Sequence, residues 1–310
     1  MAITKEAEPV LAVHNLSVKF RMYHQGLKQH DLEVISSLNV TIRPGEILAV
    51  VGSSGSGKSL LAHAIFGILP ANGFITGEMA YCGQELTPEY QSRLRGHEMA
   101  LVPQSVAYLD PLMRVGEQVR GVYGTRGQQK KAFARYGLDQ SVEQKFPFQL
   151  SGGMTRRVLV STAVISEARL ILADEPTPGL NPEMARETMR NFRELADEGR
   201  AIMLITHDID LALQAADRIA VFYAGTTVEI APVDDFIRGE DALRHPYSKA
   251  LYNALPQNGF RPIEGSQPYA GSLPTGCLFA PRCSLRTEDC AGDIPMRELR
   301  EGEVRCIHAT

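Results

Sequence analysis

Between positions 47 and 66 the chain passes from five β-prone apolar residues, Ile47-Leu48-Ala49-Val50-Val51, through Gly52-Ser53-Ser54-Gly55-Ser56-Gly57-Lys58-Ser59, into Leu60-Leu61-Ala62-His63-Ala64-Ile65-Phe66, which is apolar at helical spacing. A continuous apolar run of this kind suits a strand buried on both faces of a parallel sheet. The loop fits G-x-x-x-x-G-K-[ST] in the strand-to-helix setting that gives the pattern its meaning. Its glycines let main-chain N–H groups converge on phosphate oxygens, and the helix start adds partial positive charge. Lys58 is then expected on the β- and γ-phosphates of ATP and Ser59 on Mg²⁺. Gly52, Ser53, Ser54, Gly55, Ser56, Gly57 and Leu60 complete the nucleotide-binding stretch.

Leu170-Ile171-Leu172-Ala173 ends in Asp174-Glu175, which puts two carboxylates at the carboxyl lip of a buried strand, where ligands of α/β sheets bind. Asp174 is expected to hold Mg²⁺ through water, and Glu175 to orient or deprotonate the attacking water. Further strands are predicted at 99–102 and 201–205, and helices at 154–166 and 182–199. Residues 10–20 and 34–42 alternate like paired strands, and 111–147 read as a polar, helix-compatible insert. The order predicts an α/β fold with a parallel core sheet, an antiparallel sheet at the start and a helical insert.

A net charge of −4 gives no basic footprint for neutralising nucleic-acid phosphates, so nucleic acid is not an expected partner. The first twenty residues lack a signal-peptide pattern, and no apolar run approaches the roughly 20 residues that cross a bilayer. The chain is expected to stay inside the cell and to meet a membrane only through a partner.

Leu150-Ser151-Gly152-Gly153-Met154 resembles LSGGQ, the signature of the ABC ATPase family, with Met154 in the last position. The resemblance implies that Ser151, Gly152 and Gly153 present donors to the γ-phosphate held by a second cassette. It also implies that Gln104, in Val102-Pro103-Gln104, is the Q-loop residue reaching Mg²⁺ and the attacking water. His207, in Ile205-Thr206-His207-Asp208, is the switch histidine, and Phe20 the aromatic stacked on adenine, with Tyr23 competing for that role. The catalytic set is therefore Lys58, Gln104, Glu175 and His207, and the Mg²⁺ set Ser59, Gln104 and Asp174. The D-loop, S-A-L-D in the family, reads Pro178-Gly179-Leu180-Asn181 here, a departure that bears on coupling between two sites.

Four of the five cysteines, Cys277, Cys283, Cys290 and Cys306, fall in the last 34 residues. In a reducing compartment such a cluster points to a metal centre rather than disulfides. Residues 258–274, rich in Gly, Pro, Ser and Gln, read as a linker, and the tail beyond looks too short to build a core unaided. The strings His245-Pro246-Tyr247-Ser248-Lys249-Ala250-Leu251 and Gly276-Cys277-Leu278-Phe279-Ala280-Pro281-Arg282-Cys283 resemble the C-terminal extension of oligopeptide, dipeptide and nickel importer ATPases. That resemblance implies a [4Fe–4S] cluster on the four cysteines. Zinc is the alternative, since four thiolates also satisfy it. Cys82 reads as an ordinary packed thiol.

Taken together, residues 1–257 are expected to form the ABC nucleotide-binding domain, with a helical subdomain at about 104–165, and 258–310 the linker and cysteine-rich extension. The resemblance implies the ATPase subunit of an importer on the cytoplasmic face of the plasma (inner) membrane. Its implied partners are transmembrane permease subunits, a second ABC ATPase subunit, with family precedent favouring a heterodimer over a homodimer, and, indirectly, an extracytoplasmic substrate-binding protein. Peptide and nickel or another metal chelate both remain open as cargo. The alternatives are a non-transport ABC ATPase, disfavoured by a single cassette without a coiled-coil insert, and a nucleotide-sensing regulatory module, disfavoured by the complete catalytic set.

Overall fold

The computed structural model describes residues 8–24, 28–122 and 124–310. β1 (Leu11–His24) pairs antiparallel with β2 (Lys28–Ile42) on one side and β4 (Gly73–Tyr81) on the other, with β5 (Gln84–Glu85) at the edge. β2 starts six residues ahead of the alternating apolar run. Its polar beginning is held by cross-strand charge pairs, Lys19 with Glu33 at 3.0 Å and Arg21 with Asp31 at 3.3 Å. Opposite charges across a ladder support pairing that hydrophobic alternation does not reveal.

The main sheet comprises β3 (Ile47–Gly52), β6 (Met99–Val102), β7 (Leu170–Asp174), β8 (Ala201–Ile205), β9 (Arg218–Tyr223), β10 (Thr226–Pro232), β11 (Arg297–Leu299) and β12 (Gly302–Val304). Their spatial order is β11-β12-β10-β9-β3-β8-β7-β6. β3 lies inside the sheet, parallel to both neighbours and buried throughout. Ile47, Ala49 and Val51 face a core shared with α5 (Gly152–Val164), α6 (Pro182–Asp197) and α7 (Ile209–Ala215). Leu48 and Val50 face the opposite core, with α1 (Lys58–Phe66) and the antiparallel sheet. Burial on both faces is why this strand reads as an unbroken apolar run.

Ahead of β6 lies α2 (Pro88–Leu94); between β6 and β7 stand α3 (Val115–Arg120), α4 (Arg126–Arg135) and α5. These last three share a small core of Val115, Val119, Phe133, Val158 and Leu159. After β10 come α8 (Val233–Arg238) and α9 (Pro246–Asn253).

The tail, expected to be too short for a core of its own, draws on the cassette. β12 pairs antiparallel with β10, extending the main sheet, and Phe279 is buried in the main core. Arg244, wholly buried, places Nη1 2.8 Å from Asp235 and 3.3 Å from Glu229, and donates Nε–H to the Leu299 carbonyl at 2.6 Å. Sheet extension and a buried ion-pair network thus hold the segment, so its shortness no longer requires a cross-link.

Candidate active site

The carboxyl ends of four adjacent parallel strands, β3, β8, β7 and β6, carry the phosphate loop, His207, Asp174-Glu175 and Gln104 respectively. At Gly52 the backbone has φ 155°, and a Cβ there would stand 2.3 Å from the Phe222 carbonyl oxygen. Only glycine passes this close to the neighbouring strand. Gly57, at φ 93°, turns the chain into α1.

Lys58 is buried at the first turn of α1 and donates from Nζ to the Gly52 and Ser53 carbonyls, each at 2.9 Å. Burial pushes its pKa down, while Glu175 and Asp174 pull it back up. Ser59 donates from Oγ to Asp174 Oδ1 at 3.1 Å. Burial pushes the Asp174 carboxyl above the usual carboxylate range, against the Ser59 hydrogen bond. A carboxylate beside a hydroxyl supplies hard oxygen donors of the kind that fit Mg²⁺.

Glu175 is a non-glycine residue at φ 48°, held there by its N–H, which donates to the Ile205 carbonyl at 2.9 Å. Such a conformation costs about 1–3 kcal/mol and persists where the surroundings impose it. Its carboxylate oxygens lie 2.9 and 3.0 Å from His207 Nδ1. The structure therefore groups Lys58, Ser59, Asp174, Glu175 and His207 at one sheet edge.

The remaining predicted residues make up the surroundings of that group and the surface beyond it. Ser151 caps α5, its hydroxyl accepting from the Met154 N–H at 3.3 Å, and Ser151 and Gly152 are exposed. Gly153 adjoins the Gly179 carbonyl, and Leu60 packs partly buried in α1. Gln104 has an exposed side chain. Phe20 packs, half-buried, against Gly73 of β4, while Tyr23 is 67% exposed.

Cys277, Cys283, Cys290 and Cys306 line one small cavity together with His245 and Phe279. The donors thus converge on one place and suit a thiolate-ligated centre in kind. Among the described residues, however, no group of three or more His, Cys, Asp or Glu is arranged to hold a metal ion. Burial pushes the thiols of Cys277, Cys283 and Cys306 up and His245 down to about 3.

Residues 35–178 match the ABC transporter family, and residues 228–290 match the oligopeptide/dipeptide transporter C-terminal region. The oligopeptide transport ATP-binding protein OppD of Escherichia coli K12 is 34% identical over 97% of this chain and 93% of its own length. AppD of Bacillus subtilis 168, also an oligopeptide transport ATP-binding protein, is 31% identical over 92% of each. This chain belongs to the oligopeptide/dipeptide family of ABC transporter ATP-binding subunits. It is an ABC ATPase, the energy-supplying subunit of an importer. Its fold is also that of a dimeric bacterial ABC transporter cassette, with TM-score 0.63 and 25% identity over 72% of this chain and 98% of that one. A nucleotide-free ABC cassette gives TM-score 0.62 at 20% identity, over 79% of this chain and 98% of that one.

One residue of this ABC cassette escaped sequence reasoning, and the departure at Asn181 gains a structural role. Arg156, buried on α5, donates to the Pro103 carbonyl at 3.2 Å and the Gln104 carbonyl at 2.7 Å, joining the signature helix to the Q-loop main chain. Its only sequence signal is an arginine on the inward face of the helix that the signature starts. Asn181 caps α6, its side chain accepting from the Met184 N–H at 2.9 Å. Asn is as good a cap as the family's aspartate, so the substitution leaves the D-loop's exit into α6 intact.

Proposed function

We propose that this chain hydrolyses ATP to drive peptide uptake through a separate permease, working as one of two cassettes at the inner face of the plasma membrane. The observation that carries the reading is the grouping of Lys58, Ser59, Asp174, Glu175 and His207 at one sheet edge, in a chain similar to oligopeptide transport subunits over nearly its whole length. In this reading Lys58 and the loop amides bind the phosphates, and Ser59, Asp174 and Gln104 hold Mg²⁺, which offsets phosphate charge when bound. Glu175 accepts the proton of the attacking water while His207 orients its carboxylate. Phe20 stacks on adenine, and Ser151, Gly152 and Gly153 serve the nucleotide of the second cassette.

An apolar groove between sheet and helical insert, lined by Leu101, Tyr108, Leu109, Met113 and Val122, supports contact with a permease. Among the described residues no helix is long and apolar enough to cross a membrane, so that contact would have to anchor the chain. A small core of its own supports a helical subdomain near 104–165, within a proposed cassette at 1–257 followed by an extension at 258–310. Relatives named for oligopeptides support peptide over nickel as cargo. An extracytoplasmic binding protein would deliver it. We also propose a [4Fe–4S] centre on the four converging cysteines, zinc being the other reading; iron, sulfide and zinc analysis of anaerobically purified protein separates them.

Deleting the chain from its host should abolish uptake of labelled oligopeptides, with the parent restoring it and Glu175→Gln failing to do so. Intact peptide uptake with lost nickel uptake would overturn the cargo assignment.

A further inference from the structure

Within the phosphate loop Ser54 and Gly55 are exposed, whereas Ser53 is half-buried, and the group that meets its side chain comes from the far end of the chain. The Ser53 hydroxyl donates to Gln267 Oε1 at 2.6 Å, across 214 residues of sequence. Tyr247 stands near this part of the loop: burial pushes its phenol up, and Ser53 partly offsets that. On its carbonyl side Ser53 accepts from Lys58.

The surroundings of this contact are themselves fixed. The Tyr247 ring lies 4.5 Å from that of Tyr223 and 5.3 Å from that of Phe279, centroid to centroid. Tyr223 ends β9, whose Phe222 pairs with Gly52 at the start of the loop. Gln267 follows a linker turn clamped by Arg282, which donates to the Glu264 carbonyl at 2.7 Å and the Ile263 carbonyl at 2.9 Å while lying over the Tyr223 and Phe279 rings. The phosphate-loop pattern itself needs none of these contacts.

We propose that Gln267 is a positioning residue of the ATPase site, through which the C-terminal extension holds Ser53, and with it the loop amides and the Lys58 ammonium, in the shape that receives phosphate. This rests on the nucleotide-site reading above. Donors fixed before the ligand arrives bind it without an ordering cost. A single hydrogen bond of this type is worth roughly a 2- to 10-fold change in an equilibrium constant.

The test is equilibrium binding of Mg-ATP to the full chain, with kcat and KM in the complex assembled with permease and partner ATPase. Gln267→Ala should weaken binding and raise KM by roughly 2- to 10-fold, with kcat at saturating ATP changing less than KM. Ser53→Ala combined with Gln267→Ala should be no weaker than either alone, because both remove one contact. Gln257→Ala, which removes a contact to Asp210, should bind like the parent. Unchanged or tighter binding in Gln267→Ala, or losses that multiply in the double variant, would overturn the proposal. Lys58→Ala, measured alongside, separates the two readings. If it binds ATP like the parent, the nucleotide-site reading fails; if it loses ATP while Gln267→Ala binds normally, only the brace fails.

Discussion

At the ends of β3 and β7, Lys58, Asp174 and Glu175 are 8%, 1% and 7% exposed, and each has partners within this chain. At the start of α5, by contrast, Ser151 and Gly152 are exposed, and the serine hydroxyl bonds only into its own helix. The first set is built to take up phosphate and metal within one chain. The second presents anion donors outward, with nothing of its own chain to serve. Desolvation strengthens the electrostatics of the buried set but leaves the exposed set weak until something covers it. In the proposed reading the contrast makes the chain half of a composite ATPase.

The largest effect should come from the buried set. Lys58→Ala should abolish ATP binding, and Glu175→Gln should keep binding while lowering turnover by about 10²–10⁴-fold, the usual worth of a positioned general base. Phosphate release from the assembled complex checks both. Parent-like turnover in Glu175→Gln would remove the role given to that carboxylate and erase the distinction between the two sets.

Next comes the exposed set. A Cβ at Gly152 meets nothing within 4 Å, so Gly152→Asp should fold and bind ATP normally as a single chain. In the paired state its carboxylate would face phosphate, and turnover should fall on the order of 10²-fold, as like charges held together cost several kcal/mol. Weakened ATP binding by the isolated variant would show that the signature serves its own chain's nucleotide instead. The smallest effect belongs to the D-loop. Asn181→Ala removes the α6 cap and should cost about 1 kcal/mol of stability, read from the denaturant midpoint, with ATP binding unchanged.

What the sequence discloses and what it hides follow the range of the interactions. The loop at 52–59, the acids at 174–175 and the strands on either side are legible because each is set by neighbours in sequence: glycines where φ is positive or space is absent, apolar runs where both faces are covered. The left-handed turn at Glu175 is not legible, because it is imposed by Ile205 on β8. Nor is the β10–β12 pairing, whose strands are short and whose anchor, Arg244, looks like any charged residue ahead of a proline. The tail's shortness suggested a staple because a string of letters shows too little apolar surface and cannot show that a sheet lies ready to be extended. The Ser53–Gln267 contact hides for the same reason: a glutamine in a polar linker carries no sign of its partner.

The composite-site claim is tested most directly by steady-state ATPase activity per chain, measured for the isolated protein over a wide concentration range and again with its partner ATPase and permease present. The account predicts low activity at dilutions where sedimentation shows a single chain, rising with association and further in the full complex. Full, concentration-independent activity from a demonstrated monomer would contradict it.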